Sequence, residues 1–350
     1  MDATGNNRLS LDVDALYNAG IKRLADIHDD KEAGKLGILR AGNTGIVIGS
    51  KFAGQCARQT LLRLEGIKYE EIEDNKRLMF DAGLSNEDIW IQSLVSGLAA
   101  KGLSDKLVIR REEEVPISWT IPSGILVTGR PDIVLGTEGT EGTFSPMLGL
   151  ELKLVSSTWT ARDVGVMLEP KLQHLMQAAH YSWQLNVPFQ LWYTNRAEFS
   201  VGSGWEQSTF PKKKDLLTDV LEFGTRKDKR TGRMLEYVKK IKQFRQGFQL
   251  EWTDKGQLKY KPLLSHTDLS WTLTPITQDG IIKYYEAVVA QKTKKKLAPR
   301  PSVLKADGSE GNFKACDYCP LKSICDSADN EYDKWMEMVS SMVNNVSRKV

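Results

Sequence analysis

The chain has no long apolar run, few histidines and few cysteines, and each shortage narrows what it can be. Nothing in its 350 residues approaches the ~18 consecutive apolar residues of a membrane span, so no membrane partner is expected. The opening Met1-Asp-Ala-Thr-Gly-Asn-Asn lacks the basic-then-apolar order of a secretory signal, and a cytoplasmic location is expected. In that setting the four cysteines are not expected to form disulfides. The four histidines provide no helical metal pair: His174 and His180 fall on different faces of one segment and read as structural or exposed. Neither charge sign dominates, and a net charge of +3 selects no class of partner.

Apolar content of 41% and charged content of 27% suit a soluble globular protein, and 350 residues suit one large domain or two modest ones. Four regions are expected: 1–49, an N-terminal helical segment; 50–204, a core; 205–300, a basic and partly helical extension; and 301–350, a cysteine-bearing segment with a terminal helix. Within the core, Ser50 is placed to cap a helix over Lys51–Leu64, and Met79–Ala100 repeats apolar residues at helical spacing. A strand over 107–117 precedes two more, then a helix over Lys171–Leu185 and a strand over Phe189–Thr194. That order predicts an α/β fold with a mixed central sheet flanked by helices. Lysines and arginines gather in the second half, interleaved with Phe244, Phe248, Trp252 and Tyr260. Such runs read either as solvated faces or as the lining of a channel for a phosphate backbone.

Charge interrupts two of the apolar, β-rich runs. Ile125–Leu135 carries Asp132, and Met147–Val155 carries Glu151 and Lys153. Residues two apart share one face of a strand, and the turn-rich Gly136–Pro146 segment folds the first strand back beside the second. Two carboxylates and an ammonium on one face suit metal-assisted phosphodiester hydrolysis: oxygen ligands for a hard cation, and a lysine to orient water or offset charge. Acid-x-Lys strings recur at Asp29, Asp74 and Glu169, but only the one at Glu151 has strand-like apolar residues on both sides. A surface hairpin bearing a Glu/Lys pair is the alternative.

Downstream, Gln177 and Tyr181 stand one helical turn apart and project together. Cys56 stands alone, whereas Cys316, Cys319 and Cys325 cluster in a polar segment. One plus three thiolates suit an iron–sulfur cluster, with structural zinc the alternative, and would staple the N-terminal helix to the C-terminal tail.

In that order, Cys56-Ala-Arg58, Gly129-Arg-Pro-Asp132, Glu151-Leu-Lys153, Gln177-x3-Tyr181 and Cys316-x2-Cys319-x5-Cys325 resemble the PD-(D/E)xK nucleases of the RecB-like iron–sulfur branch. That branch includes CRISPR-adaptation-type and AddB-type nucleases. The resemblance implies a restriction-endonuclease-like core, with Asp132, Glu151 and the Leu152 carbonyl binding Mg2+ or Mn2+. It gives Lys153 the attacking water, Gln177 and Tyr181 the DNA, and Cys56, Cys316, Cys319 and Cys325 a [4Fe–4S] cluster. The implied activity is a metal-dependent deoxyribonuclease, an exonuclease on single-stranded DNA or DNA ends in repair or recombination. A non-catalytic DNA-binding module and a double-strand-end exonuclease are the alternatives. One departure stands out: where the family carries a histidine ligand, Gly83-x3-Glu87 offers Glu87, and an extra carboxylate favours magnesium.

Overall fold

The structure, a computed structural model, describes residues 37–41, 45–48, 51–67, 74–111, 113–139, 142–201, 219–263, 270–304, 310–312, 316, 319–328 and 330–347. Strands β1 (Ile38–Arg40), β2 (Gly45–Ile48) and β3 (Lys51–Gly54) precede helix α1 (Ala57–Leu64) and the long helix α2 (Asp74–Ala100). Next come β4 (Val108–Arg111), β5 (Ile117–Thr120), β6 (Leu126–Gly129), β7 (Ile133–Glu138) and β8 (Phe144–Leu154). Helices α3 (Thr158–Gly165) and α4 (Leu172–Leu185) lead to β9 (Phe189–Asn195) and β10 (Phe199–Ser200). Strands β11 (Leu221–Lys227), β12 (Met234–Ile241), β13 (Phe244–Trp252), β14 (Gln257–Pro262) and β15 (Thr272–Thr277) follow. Helix α5 (Gln278–Thr293), β16 (Ser302–Leu304), β17 (Glu310–Asn312), α6 (Lys322–Ser327) and α7 (Tyr332–Ser347) complete the described elements.

The fold is mixed α/β. Its central sheet has seven strands in the order β15-β14-β13-β9-β8-β7-β4. Strands β8 and β9 run parallel, while their outer neighbours β7 and β13 pair antiparallel to them. A parallel pair needs a long crossover, and α3 and α4 supply it. Alternation then sorts the side chains of β8. Leu150 and Leu152 turn to one side and form a small core with Ile133, against which Trp90, Ile91 and Leu94 of α2 pack. Glu151 and Lys153 turn to the other side, level with Leu191 and Tyr193 of β9 and beneath α4. Helix α4 buries Leu175, Met176, Ala178, Ala179 and Tyr181 in the main core. Gly149 permits the close fit, because a Cβ there would meet the Phe189 ring at 2.0 Å. Among the described residues no helix is long and apolar enough to cross a membrane.

Several expectations need correction. Residues 51–64 are not one helix: Lys51–Gly54 pairs with β2 as a hairpin, and the helix starts after Cys56, its N-cap. The proposed Ser50 cap and residues 1–36 of the expected N-terminal helical segment lie outside the described residues, and 38–40 and 45–48 of that segment are strands. The strand expected over 107–117 is two strands in different sheets. Asp132 sits in a bend immediately before β7 rather than on it. Among the described residues of the partly helical extension, strands β11 to β15 precede the single helix α5, so it carries more strand than helix. In β12 the sequence Met-Leu-Glu-Tyr-Val-Lys-Lys-Ile alternates more and less exposed positions over most of its length, a period-2 pattern masked by its charges. Nor do the aromatic residues line a channel: Phe248 is fully buried, and Phe244, Trp252 and Tyr260 pack against the core.

Candidate active site

The antiparallel register of β7 and β8 pairs Ile133 with Leu150 and Val134 with Gly149. Extended by one residue, it sets Asp132 opposite Glu151. The Leu152 N–H donates to Asp132 Oδ2 at 2.6 Å and pins that carboxylate to the edge of β8. Lys153 Nζ donates to Glu151 Oε1 at 2.5 Å. Glu151 is fully buried, and its second oxygen, Oε2, has no hydrogen-bond partner. Glu87, midway along α2, is close enough for its charge to act on both Glu151 and Lys153. Asp132, Glu151 and Lys153 therefore come together at the end of β8, with Glu87 within electrostatic reach.

Their electrostatics are unbalanced. Burial raises the Glu151 carboxyl well above the ordinary carboxylate range, and the Asp132 charge adds to it; Lys153 opposes both. Burial alone lowers Lys153, yet Glu151, then Asp132 and Glu87, raise it overall. The two shifts pull the pair in opposite directions, one toward a neutral acid and the other toward a fixed ammonium. The ammonium is the firmer of the two, since a 2.5 Å contact and three surrounding carboxylates hold it. What Glu151 lacks is a second positive charge.

Helix α4 crosses above this group. Gln177 Nε2 donates to Tyr181 Oη at 3.3 Å, as their spacing predicts. Tyr181 is nevertheless buried, its ring so close to Gly129 that a Cβ there would lie 2.6 Å from it. Burial, then the Glu151 charge, pushes its phenol up, so Tyr181 holds Gln177 in place and keeps its proton.

Sequence reasoning missed His174. It lies three residues before Gln177 and seven before Tyr181, the same helical stripe, so its place was legible once the stripe was drawn. His174 Nδ1 is 2.9 Å from Tyr193 Oη, which also accepts the Lys171 N–H at 3.0 Å. Burial first, then the charges of Lys153 and Lys171, pushes His174 down to about 3, so it is neutral beside the lysine. His180 is structural as expected, its ring 2.6 Å from the Met176 carbonyl and 3.1 Å from Tyr285 Oη.

The residues fit a divalent cation in chemistry. They offer a buried carboxylate oxygen without a partner and hard oxygen donors. As they stand, no group of three or more His, Cys, Asp or Glu side chains among the described residues is gathered tightly enough to hold a metal ion. No family model, curated protein or solved structure matches this chain. The functional reading therefore rests on the site.

The cysteines converge from opposite ends of the chain. Gln59 Nε2 lies 3.5 Å from Cys319 Sγ, a contact between residues 260 apart in sequence. Cys56 feels the charge of Cys325, and burial pushes the Cys56 thiol up to about 11. Arg300 feels Cys325 and Cys316, and the indole of the buried Trp335 donates to Cys325 Sγ at 3.3 Å. Arg58, almost fully buried, bonds the Ala298 carbonyl at 2.9 Å and Asn330 Oδ1 at 2.5 Å, tying α1 to the C-terminal segment. Guanidinium groups and an indole N–H around four thiols suit thiolate ligands, although no three of the sulfurs are yet within reach of one ion.

Proposed function

We propose that this protein is a metal-dependent deoxyribonuclease with a restriction-endonuclease-like core, acting as an exonuclease on single-stranded DNA or DNA ends. The observation that carries it is the buried Glu151, facing Asp132 across β7 and β8 with Lys153 Nζ at 2.5 Å. Glu151 Oε2 is buried without a hydrogen-bond partner, and a buried carboxylate oxygen left so is costly unless another charge joins it. Asp132, Glu151, Glu87 and the Leu152 carbonyl would hold a magnesium or manganese ion, which would supply that charge and the Lewis acidity that phosphodiester hydrolysis needs.

The protein's own groups do the rest. Lys153 keeps its proton, so it donates hydrogen bonds: it orients the attacking water and offsets charge developing on the phosphate oxygens. Gln177, half-buried on α4, offers a neutral amide to a phosphate oxygen, with Tyr181 fixing its rotamer. Neutral His174 and Tyr193 wall the lysine from below without competing for its carboxylates. Cys56, Cys316, Cys319 and Cys325 are proposed to hold a [4Fe–4S] cluster that ties α1 to the C-terminal tail.

The test is digestion by anaerobically purified protein with Mg2+ or Mn2+. The substrates are end-labelled single-stranded linear DNA, single-stranded circles and duplex ends. Metal-dependent loss of linear single strands, abolished in Lys153→Ala, supports the reading. No cleavage of any substrate, or cleavage unaltered by Lys153→Ala, overturns it. Iron content and the visible spectrum of the same sample test the cluster: zinc in a colourless protein refutes it.

A further inference from the structure

We propose that a pocket on the α2 face of the sheet, beyond the end of the carboxylate-bearing strand, binds one nucleotide of the DNA strand, its phosphate between Arg196 and Arg245 and its base against Trp90. This rests on the deoxyribonuclease reading and names how that substrate is gripped away from the bond that breaks. The pocket has a volume of about 340 Å3 and is lined by Asn86, Trp90, Leu94, Thr194, Arg196 and Arg245, among others. That volume lies at the small end of the ~300–1,000 Å3 range of ligand pockets, which suits a single nucleotide rather than a duplex.

Its position follows from the sheet. Lys153 pairs with Tyr193 across β8 and β9; the next residue of β9, Thr194, turns to the opposite, α2 face and lines the pocket there. Arg245 stands opposite Thr194 on β13, and Arg196 follows two residues later. At about 3.3 Å per residue, Thr194 and Arg196 lie roughly 3 to 10 Å beyond the level of Lys153. Helix α2 links the two places: Glu87 serves the carboxylates, while the adjacent stripe of Asn86 and Trp90 serves the pocket.

The groups are also held in place. The Trp90 indole N–H donates to Thr194 Oγ1 at 3.1 Å, and its ring packs on Trp192 with centroids 5.2 Å apart. Arg196 Nη2 donates to the buried Asn86 at 3.1 Å, and the Arg245 guanidinium lies 5.8 Å from the Trp90 ring centre. Among the described residues neither guanidinium is in a salt bridge. Two uncompensated guanidinium forks recognise phosphate oxygens, and an indole offers a face on which any base stacks. A carboxylate-bearing peptide would satisfy the arginines but leave the indole unused.

The test is fluorescence anisotropy of a labelled oligodeoxythymidine with the full chain in EDTA, so that no cleavage is needed. Arg196→Gln and Arg245→Gln should each weaken binding about ten-fold and lower the slope of log K against log salt by up to ~0.7. Trp90→Leu should weaken binding about ten-fold with the slope unchanged, and Trp90→Phe should restore most of it, separating stacking from misfolding. A preference for a 5′-phosphorylated end over an unphosphorylated end or a circle, lost in the arginine variants, assigns a terminal phosphate. Equal binding of all three, lost alike, assigns an internal one. Arginine variants with wild-type affinity and salt slope overturn the proposal. Wild-type protein that binds but never cleaves overturns only the nuclease reading, whereas cleavage with unchanged arginine variants overturns only the pocket.

Discussion

Lys153 Nζ stands 2.5 Å from Glu151 Oε1 on one face of β8, while Leu152 between them turns to the opposite core and gives its N–H to Asp132. One strand thus serves two layers, and its alternation decides which residues can react and which only pack.

That pair leads to the first prediction. Lys153→Ala leaves a buried carboxylate without its cation, but Glu151 is free to protonate. Metal-free protein should therefore lose only about 1–3 kcal/mol in chemical denaturation. Glu151→Gln removes the surplus charge and should be near neutral for stability. Cleavage rates should fall at least about 100-fold in both variants.

A second prediction concerns pH. The folded state raises the Glu151 carboxyl above its ordinary 4.5, so the native protein binds that proton more tightly than the unfolded chain does. Its contribution is complete below 4.5 and is lost as pH rises from there into the neutral range. Thermal unfolding of metal-free protein should show this decline. Glu151→Gln should flatten it, and added Mg2+ should suppress it by supplying the missing charge.

Histidine carries the opposite sign. Burial pushes His180 down to about 4 and His174 to about 3, so the unfolded chain binds their protons first. Stability from both is full above 6.5, their ordinary value, and is lost as pH falls through that window. An acid titration of His180→Gln should start its unfolding transition at lower pH than wild type. His174→Asn should lower the cleavage rate without moving the shape of the pH–rate profile, because the ring does not titrate between pH 5 and 8.

Two glycines give a steric prediction. A methyl group at Gly129 would meet the Tyr181 ring at 2.6 Å and Ile117 and Ala41 at 3.1 Å. Gly129→Ala should cost about 1–3 kcal/mol by urea unfolding and should reduce cleavage by displacing Tyr181 and Gln177. Gly97, on α2 with nothing within 4 Å, is the control: Gly97→Ala should stabilise by about 0.5–1 kcal/mol and leave activity alone.

The cysteines provide the last. If all four hold one cluster, serine at any of Cys56, Cys319 or Cys325 should remove iron and visible absorbance together and lower the melting temperature. A variant that keeps full iron content would remove that residue from the ligand set.

Much of the site was legible because it obeys short-range periodicities. Glu151 and Lys153 share a face at spacing two, and Gln177 and Tyr181 meet at spacing four. The same spacing rule puts His174 on the Gln177 stripe of α4, and its spacing of six from His180 puts the two rings on different faces. The second half was illegible for a related reason. Its strands carry charged residues on both faces, as Lys239 and Lys240 do in β12, and such pairs as Lys239 with Glu222 disguise the strand as a charge run.

The sequence by itself determined an α/β fold, the strand that carries Glu151 and Lys153, and the helix above it, since hydrophobic period and residue spacing are local properties. Only the tertiary structure decided that the charge of Glu87 on α2 reaches Glu151, that the charge of Cys325 reaches Cys56 and that Tyr181 is buried. It alone assembled Trp90, Arg196 and Arg245 around one pocket. Those relations depend on strand order, register and crossover, and burial then sets the electrostatics, because a carboxylate is an ordinary acid until the fold removes its water.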